Sequence, residues 1–318
     1  MAERLRDLGG RPGHLPAGSG NRITDVPGVR VGHAQAASGQ ATGVTVLAPP
    51  ALPARAATVS VNGVGELTGN LEINERGRME TPVYLCGSHA IGTVLQAAIN
   101  ASGRGPENVV LPVVGECDDG EMADSRTVTG ADVEAALDAL GEEVEEGSVG
   151  AGTGMSCFDF PGGIGTASRR VGEHTVGVLL LCNFGDREYL DFLGLGFPAA
   201  DRPSAAHGSC IAVCATDAPL PADQLRRLAL RPLLGLIRAG SYAAEGSGEI
   251  GLAFSTASEV APAGDRELNR YLAAAWEAGW ESVLNCLLAA RPGTRLDGTR
   301  QDPFPVERAR RHLEDVTR

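Results

Sequence analysis

The order of strand-like and helix-like segments predicts an α+β protein in which sheets and helices form layers. Six apolar runs rich in β-branched residues are typical of buried strands. They are TGVTVLAP (42–49), ATVSVNG (57–63), NVVLPVVGE (108–116), HTVGVLLLCNF (174–184), SCIAVCAT (209–216) and GEIGLAFST (248–256). Several are apolar at successive positions, which indicates sheets covered on both faces. Because strands and helices do not alternate strictly, a layered α+β arrangement fits better than a doubly wound parallel sheet.

Four longer segments have the periodicity of helices that pack against such sheets. They are SHAIGTVLQAAINAS (88–102), ADVEAALDAL (131–140), PADQLRRLALRPLLGLIRAG (221–240) and DRELNRYLAAAWEAGWESVLNCLLAARP (265–292). The last two have broad apolar stripes and end near Gly or Pro, as packed helices do. With 318 residues, of which 43% are hydrophobic, the chain can bury a large core.

One interior segment, GLGFPAADRPSAAHG (194–208), has the composition of an exposed loop. The simplest interpretation is a linker between two domains. However, neither side of the segment has a complete set of sheets and covering helices. We therefore expect one domain over residues 1–318.

Composition excludes several classes of function. The formal net charge is −13 and the chain contains no lysine, because all 27 basic residues are arginine. A nucleic-acid surface would require clustered basic residues, so small molecules or peptides are the expected partners. The absence of lysine also excludes Schiff-base chemistry and a phosphate-loop lysine. No run reaches about 18 apolar residues and the first residues lack an apolar signal core, which predicts a cytoplasmic protein without a membrane partner.

The cysteines and histidines predict neither a disulfide framework nor a metal site. The seven cysteines are scattered, odd in number and without CxxC spacing, so we expect buried, reduced thiols. The six histidines show no HxH or HExxH spacing.

Gly208-Ser209 stands where the loop becomes a strand, and its residue types permit self-cleavage. A hydroxyl at the start of a buried strand can attack the preceding carbonyl if that bond is bent, and glycine permits the bend. Hydrolysis of the resulting ester would leave Ser209 with a free α-amine that can serve as a base. Taken alone, a Gly-Ser pair at such a boundary is ordinary. His207 would end on a free chain end after cleavage, so we expect no lasting catalytic role for it.

Several motifs together give the chain a resemblance to a known family. The second part contains GSCIAVCATDAPLPADQLRRLALRPLLGLIRAGS (208–241) and SGEIGLAFST (247–256). The first part contains RITDVPGVRVGHAQ (22–35), TGVTVLAP (42–49), NGVGELTG (62–69), LPVVGE (111–116) and GAGTGMSCFDFPGGIGTASR (150–169). In this order they resemble the P1 family of peptidases, the L-aminopeptidase/D-esterase group that includes β-peptidyl aminopeptidases.

The resemblance implies a self-processing hydrolase of the N-terminal-nucleophile type with a four-layer αββα sandwich. It implies cleavage between Gly208 and Ser209 into an α-subunit (1–208) and a β-subunit (209–318), with Ser209 as nucleophile. Ser247 and Glu249 match the serine and glutamate that accompany it. Their i, i+2 spacing places both side chains on one face of a strand, where Glu249 could orient Ser247 and Ser247 could hydrogen-bond the Ser209 oxygen or amine. Without the resemblance, GSGE (246–249) is interpreted as a polar turn.

The same resemblance assigns the two remaining site residues. Asn183 in CNFG (182–185) matches an asparagine-containing segment and is the candidate oxyanion donor, although a turn after a strand would explain it on sequence alone. Glu116 matches an acidic residue that binds the substrate's ammonium group. The next residues, CDDGEMAD (117–124), depart from the family because they lack an aromatic residue and add carboxylates. We interpret Asp118, Asp119 and Glu121 as parts of an acidic surface loop.

The expected activity is removal of N-terminal residues from short peptides, amides or esters through an acyl-enzyme on Ser209. No metal and no organic cofactor is expected. The family expectation is a homo-oligomer of cleaved α/β heterodimers. Two alternatives stay open, namely an acyltransferase of the ornithine acetyltransferase type and an uncleaved, non-catalytic binding protein on the same scaffold.

Overall fold

A computed structural model describes residues 3–201, 203 and 208–316. The strands are β1 (Arg30–Gln35), β2 (Gly43–Ala48), β3 (Ala54–Gly63), β4 (Arg78–Met79), β5 (Val83–Gly87), β6 (Val113–Cys117), β7 (Ser156–Cys157), β8 (Phe160–Pro161), β9 (Gly163–Val171), β10 (His174–Asn183), β11 (Ser209–Thr216) and β12 (Gly248–Ser255). The α-helices are α1 (Asn70–Arg76), α2 (Ile91–Ala101), α3 (Gly130–Asp138), α4 (Ala222–Ala239), α5 (Asp265–Ala289) and α6 (Val306–Val316). This mixture confirms the predicted α+β class.

The strands form two main sheets. The smaller sheet has the order β1-β2-β5-β6, and the larger has the order β4-β3-β12-β11-β10-β9. In the larger sheet β11 lies between β10, which is antiparallel to it, and β12, which is parallel. Strands β7 and β8 form a separate hairpin.

The two sheets share one apolar core, and helices pack on each sheet. Helices α2 and α3 contact the smaller sheet, whereas α4 and α5 contact the larger one. Between the sheets, Leu47 and Leu85 belong to the same buried cluster as Leu179, Ile211 and Leu252. Because successive side chains of a strand point to opposite faces, strands covered on both sides are apolar throughout, which explains their unbroken apolar runs.

Local physics explains two differences from the sequence-based expectations. The run 108–116 forms a strand only from Val113, since Pro112 has no N–H to donate to a ladder. The glycine-rich run 150–165, whose composition is typical of tight turns, also contains β7, β8 and the start of β9. Its glycines permit close packing, because a Cβ at Gly165 would lie 2.0 Å from the carbonyl oxygen of Ser282 in α5.

Candidate active site

Ser209 is the first residue of β11 and lies at the edge where β10 ends and β12 begins. Its Cα partners are Asn183 of β10 and Gly248 of β12, and the residue is 6% exposed. Ile211 and Val213, which share its parity along the strand, belong to the core between the sheets. The Ser209 side chain is therefore on the side that faces the smaller sheet.

Cys210 and Cys214 have the opposite parity and belong to the core under α4 and α5. Both are fully buried, and burial raises the pKa of each thiol. They therefore pack on the sheet face opposite to Ser209, as the expectation of buried thiols requires.

Gly208 has a backbone conformation that side chains rarely adopt. Its φ is +80°, and a Cβ at this position would lie 2.4 Å from the carbonyl oxygen of Asn183 and 2.6 Å from Cα of Phe184. Only glycine fits such a site without displacing the neighbouring strand end. The residue before it, His207, lies outside the described residues.

Ser209 and Glu116 line one open cleft of about 790 Å³ at the end of the two sheets. The floor between them is the backbone of Gly65, which leaves room for both side chains. A methyl group at Gly65 would lie 3.7 Å from Oγ of Ser209 and 3.3 Å from Oε1 of Glu116. The structure therefore brings together the predicted nucleophile and the predicted ammonium-binding carboxylate, although they are 93 positions apart in the sequence.

Glu116 is held by two residues that the sequence analysis did not single out. The backbone N–H of Glu66 donates to Oε1 over 2.8 Å, and the hydroxyl of Ser88 donates to Oε2. Glu116 ends up 8% exposed. These two donors fix the carboxylate at the cleft wall, and neither could have been found from spacing because both come from other elements of the fold.

The orientation of the Asn183 amide follows from its hydrogen bonds. The backbone N–H of Ser156 donates to Oδ1 over 2.8 Å, so Oδ1 faces β7. Nδ2 points the other way and donates to the carbonyl oxygen of Asp118, also over 2.8 Å. A primary amide has two N–H groups, and the described contact uses one of them. The arrangement thus places an amide donor group beside β11, the strand that begins with Ser209.

Ser247 and Glu249 contact each other at the start of β12, since the Ser247 hydroxyl donates to Oε1 of Glu249. Oε2 of Glu249 is buried and has no hydrogen-bond partner among the described residues. Burial raises the pKa of this carboxyl group. The two residues flank Gly248, whose Cα is paired with Ser209, so by strand alternation they lie on the sheet face that Cys210 also occupies.

Gly208 borders two cavities, and Ser247 lines the smaller of them. This small polar cavity is also lined by Ser156, Asn183 and Ser241 among others. The larger cavity is the main cleft. The predicted hydrogen bond from Ser247 to Ser209 stays a prediction.

The acidic segment 117–124 is not a uniform surface loop, and that interpretation is wrong for Asp119. Asp119 is 2% exposed and accepts a 2.6 Å hydrogen bond from the Thr42 hydroxyl. Burial raises the pKa of its carboxyl group. Asp118 is exposed and lines the cleft, and Glu121 also lines it. The segment therefore forms part of the cleft wall.

Two structural features are absent from residues 3–201, 203 and 208–316, namely a metal-binding cluster and a membrane-spanning helix. There, no group of three or more His, Cys, Asp or Glu side chains is arranged to hold a metal ion. Every helix in this part of the chain is too short or too polar to span a lipid bilayer.

Comparison with known proteins decides the family. The model of peptidase family S58 matches residues 21–301. The chain belongs to peptidase family S58. This membership confirms the resemblance to the P1 peptidases and the prediction of a hydrolase of the peptidase class.

Members with known names or structures are similar to this family S58 chain over most of its length. It is 36% identical to "Beta-peptidyl aminopeptidase BapA" of Sphingosinicella microcystinivorans, over 93% of this chain and 88% of that protein. The structure of a Burkholderia sp. beta-aminopeptidase matches with a TM-score of 0.89 and 35% identity, over 99% of each chain. That of the L-aminopeptidase D-Ala-esterase/amidase from Ochrobactrum anthropi, described as a variant of the Ntn hydrolase fold, matches with a TM-score of 0.87 and 33% identity, also over 99% of each chain.

Proposed function

We propose that this chain is a self-processing serine aminopeptidase that removes N-terminal residues from short peptides, amides or esters. The observation that carries the proposal is the shared cleft of Ser209 and Glu116, whose Oγ and Oε1 atoms border the same space above Gly65. An aminopeptidase must hold a free ammonium group at a fixed distance from the carbonyl that it attacks. The aminopeptidase names of the family members are consistent with this use of the cleft.

Self-cleavage would begin with attack of Ser209 Oγ on the carbonyl carbon of Gly208. The C–N bond breaks, the nitrogen of Ser209 takes up a proton, and Gly208 becomes an ester on Oγ. Water then hydrolyses the ester, which gives a Gly208 carboxylate and a free Ser209 with an α-amine. The left-handed conformation of Gly208 and its close packing against the Asn183–Phe184 backbone are consistent with this step, because only glycine permits the bend that the chain makes directly before Ser209.

Turnover would use the same atoms on an external substrate. The substrate ammonium binds Glu116, Ser209 Oγ attacks the carbonyl carbon, and the proton of Oγ passes to the α-amine of Ser209. The amide of Asn183 donates to the oxyanion, and the leaving amine takes the proton from the α-ammonium group. Water finally hydrolyses the acyl ester and restores the Ser209 hydroxyl.

Ser247 and Glu249 would act on the α-amine of Ser209. The amine forms next to Gly208, which borders both cavities, so removal of the Gly208 end gives Ser247 access to it. The buried Glu249 carboxylate accepts from Ser247, which leaves the Ser247 oxygen free to accept a hydrogen bond from the amine.

We also propose a layer arrangement for the fold and an assembly for the cleaved chain. Helices on each outer face of two packed sheets support a four-layer αββα sandwich, built from subunits 1–208 and 209–318 of one domain. A cytoplasmic homo-oligomer of such heterodimers, acting without a cofactor, completes the proposal.

The test is the hydrolysis of L-alanine p-nitroanilide by the purified protein and by a Ser209→Ala variant. We expect p-nitroaniline release by the wild type and a loss of about 10⁵-fold or more in the variant, as removal of a nucleophile causes in other serine hydrolases. Ser255→Ala is the matched control, because Ser255 is a buried serine at the far end of β12 and donates to the carbonyl of Ala218.

Two results would contradict the proposal. Equal rates for Ser209→Ala and wild type would remove Ser209 from the chemistry. If an added amine acceptor received most of the acyl group in water, the acyltransferase alternative would replace hydrolysis.

A further inference from the structure

We propose that Asp118 selects substrates whose N-terminal residue has a cationic side chain, such as arginine. The proposal rests on the proposed function, since it uses the same cleft and the same Ser209. It starts from the lining of that cleft, which contains four carboxylate residues, Glu66, Glu116, Asp118 and Glu121, and one histidine, His89. No arginine is among the described residues that line it, and the chain has no lysine. A substrate cation thus enters a space walled by carboxylates.

Two of the four carboxylates, those of Glu116 and Glu121, already have partners, and Glu66 takes part in the site through its backbone. Glu116 accepts hydrogen bonds on both oxygens and is assigned to the α-ammonium group. Glu121 faces the guanidinium of Arg295, whose Nε lies 3.7 Å from its Oε2. Glu66 is an exposed residue that contributes its backbone N–H to Glu116.

Asp118 is the carboxylate placed to meet a side chain. It is exposed in the cleft, and its Oδ1 accepts a hydrogen bond from the neighbouring Gly120 N–H over 2.9 Å, with no cation in the described contacts. Its backbone carbonyl is anchored to Nδ2 of Asn183. The backbone of Asp118 is therefore anchored to the proposed oxyanion donor, and Asp118 follows Glu116 by two residues in the chain.

This placement determines which part of the substrate Asp118 meets. The N-terminal residue of a substrate has its ammonium on Glu116 and its carbonyl at Ser209. Its side chain starts between these two points, and we place a long cationic side chain against the cleft lining that includes Asp118. A guanidinium forms charge-assisted, often bidentate hydrogen bonds with a carboxylate.

The experiment compares the p-nitroanilides of L-arginine and L-citrulline, which have the same length and the same leaving group but differ in charge. We expect kcat/KM to be about tenfold higher for arginine, the gain of one hydrogen bond to a charged group. Asp118→Asn should reduce the arginine-to-citrulline ratio to about 1–2. The backbone contact with Asn183 is kept in this variant, because it uses no side-chain atom of Asp118.

Asp138→Asn is the matched control. Asp138 is an exposed aspartate at the end of α3, so its substitution changes the net charge by the same amount outside the cleft. The ratio should stay at the wild-type value. Raising the ionic strength from about 0.05 to 0.5 M should lower the wild-type ratio, since salt screens exposed charges.

Equal kcat/KM for the two substrates in the wild type would overturn the proposal, and so would a ratio that Asp118→Asn leaves unchanged. Alanine p-nitroanilide separates this failure from that of the proposed function. If alanine is released but arginine is not preferred, only the role of Asp118 is wrong. If no p-nitroanilide is hydrolysed, the aminopeptidase proposal itself fails.

Discussion

Two of the buried polar clusters among the described residues differ in how completely their hydrogen bonds are satisfied. One surrounds Arg169 of β9, whose guanidinium is fully buried under α5. It donates to Glu277 and Glu281 of α5 and to the backbone carbonyls of Pro12 and Ser168. The other surrounds Ser209 at the end of the sheet.

Near Ser209, two polar groups have hydrogen-bonding capacity that no described contact uses. Oε2 of Glu249 is buried and lacks a partner among the described residues, and one N–H of Asn183 stays outside the described contacts. In contrast, Glu281 accepts from Arg6, Asn21 and Arg169. A buried polar group without a partner costs free energy, so the comparison indicates that the Arg169 cluster stabilises the fold, while the unused atoms near Ser209 are consistent with the proposed binding of a substrate there.

The largest effect on stability is expected from Arg169→Met. This change leaves two buried glutamates without their shared cation, which typically costs about 3–5 kcal/mol of the free energy of unfolding. Urea unfolding in a Ser209→Ala background, where the chain is proposed to stay intact, measures the loss. Arg126→Met is the control, because Arg126 pairs with Asp124 on the surface, and its unfolding midpoint should barely change. If both variants unfolded at the same urea concentration, the cluster would have no special role in the fold.

A smaller effect, on rate instead of stability, is expected from Asn183→Ala. Loss of one oxyanion donor lowers kcat by about 10²–10³, which corresponds to about 3–4 kcal/mol, with little change in KM. The measurement is steady-state hydrolysis by the cleaved protein. Asn74→Ala is the control, since Asn74 of α1 also accepts from a backbone N–H and donates to an oxygen, both of Thr58. A kcat for Asn183→Ala as high as that of Asn74→Ala would exclude Asn183 as the donor.

The sequence predicted the elements around the site better than the contacts within it. The strand start at Ser209 and the shared face of Ser247 and Glu249 follow from alternation along one strand, which is a local property. The burial of Asp119 does not, because its partner Thr42 is 77 positions away. The sequence also did not predict the Arg169 cluster, or the Ser156 N–H that orients Asn183, for the same reason. Such contacts depend on how distant segments pack.

The smallest expected effect concerns His33. It tests whether a buried atom without a partner is by itself enough to indicate a functional site. Nε2 of His33 is buried without a partner among the described residues, while Nδ1 lies 2.9 Å from the Thr45 hydroxyl. Burial lowers the pKa of His33 to about 4. Between that value and about 6.5, the unfolded chain binds a proton that the folded chain does not, so stability is lost as the pH falls.

We expect the free energy of unfolding to fall by about 2 kcal/mol between pH 7 and pH 5 because of His33. His33→Gln should flatten the pH dependence of the unfolding free energy by that amount, with no change in kcat at pH 7. Urea titrations at both pH values, again with Ser209→Ala, give the comparison. An unchanged pH dependence in His33→Gln would show that the histidine titrates normally. A fall in kcat would instead connect this residue to the site.

The central claim is that Ser209 is both the point of cleavage and the nucleophile, and intact mass spectrometry of the purified protein tests it most directly. The account predicts two polypeptides from the wild type, residues 1–208 and 209–318, and one uncleaved chain from Ser209→Ala. A wild-type protein that stays a single full-length chain, indistinguishable in processing from Ser209→Ala, would contradict it.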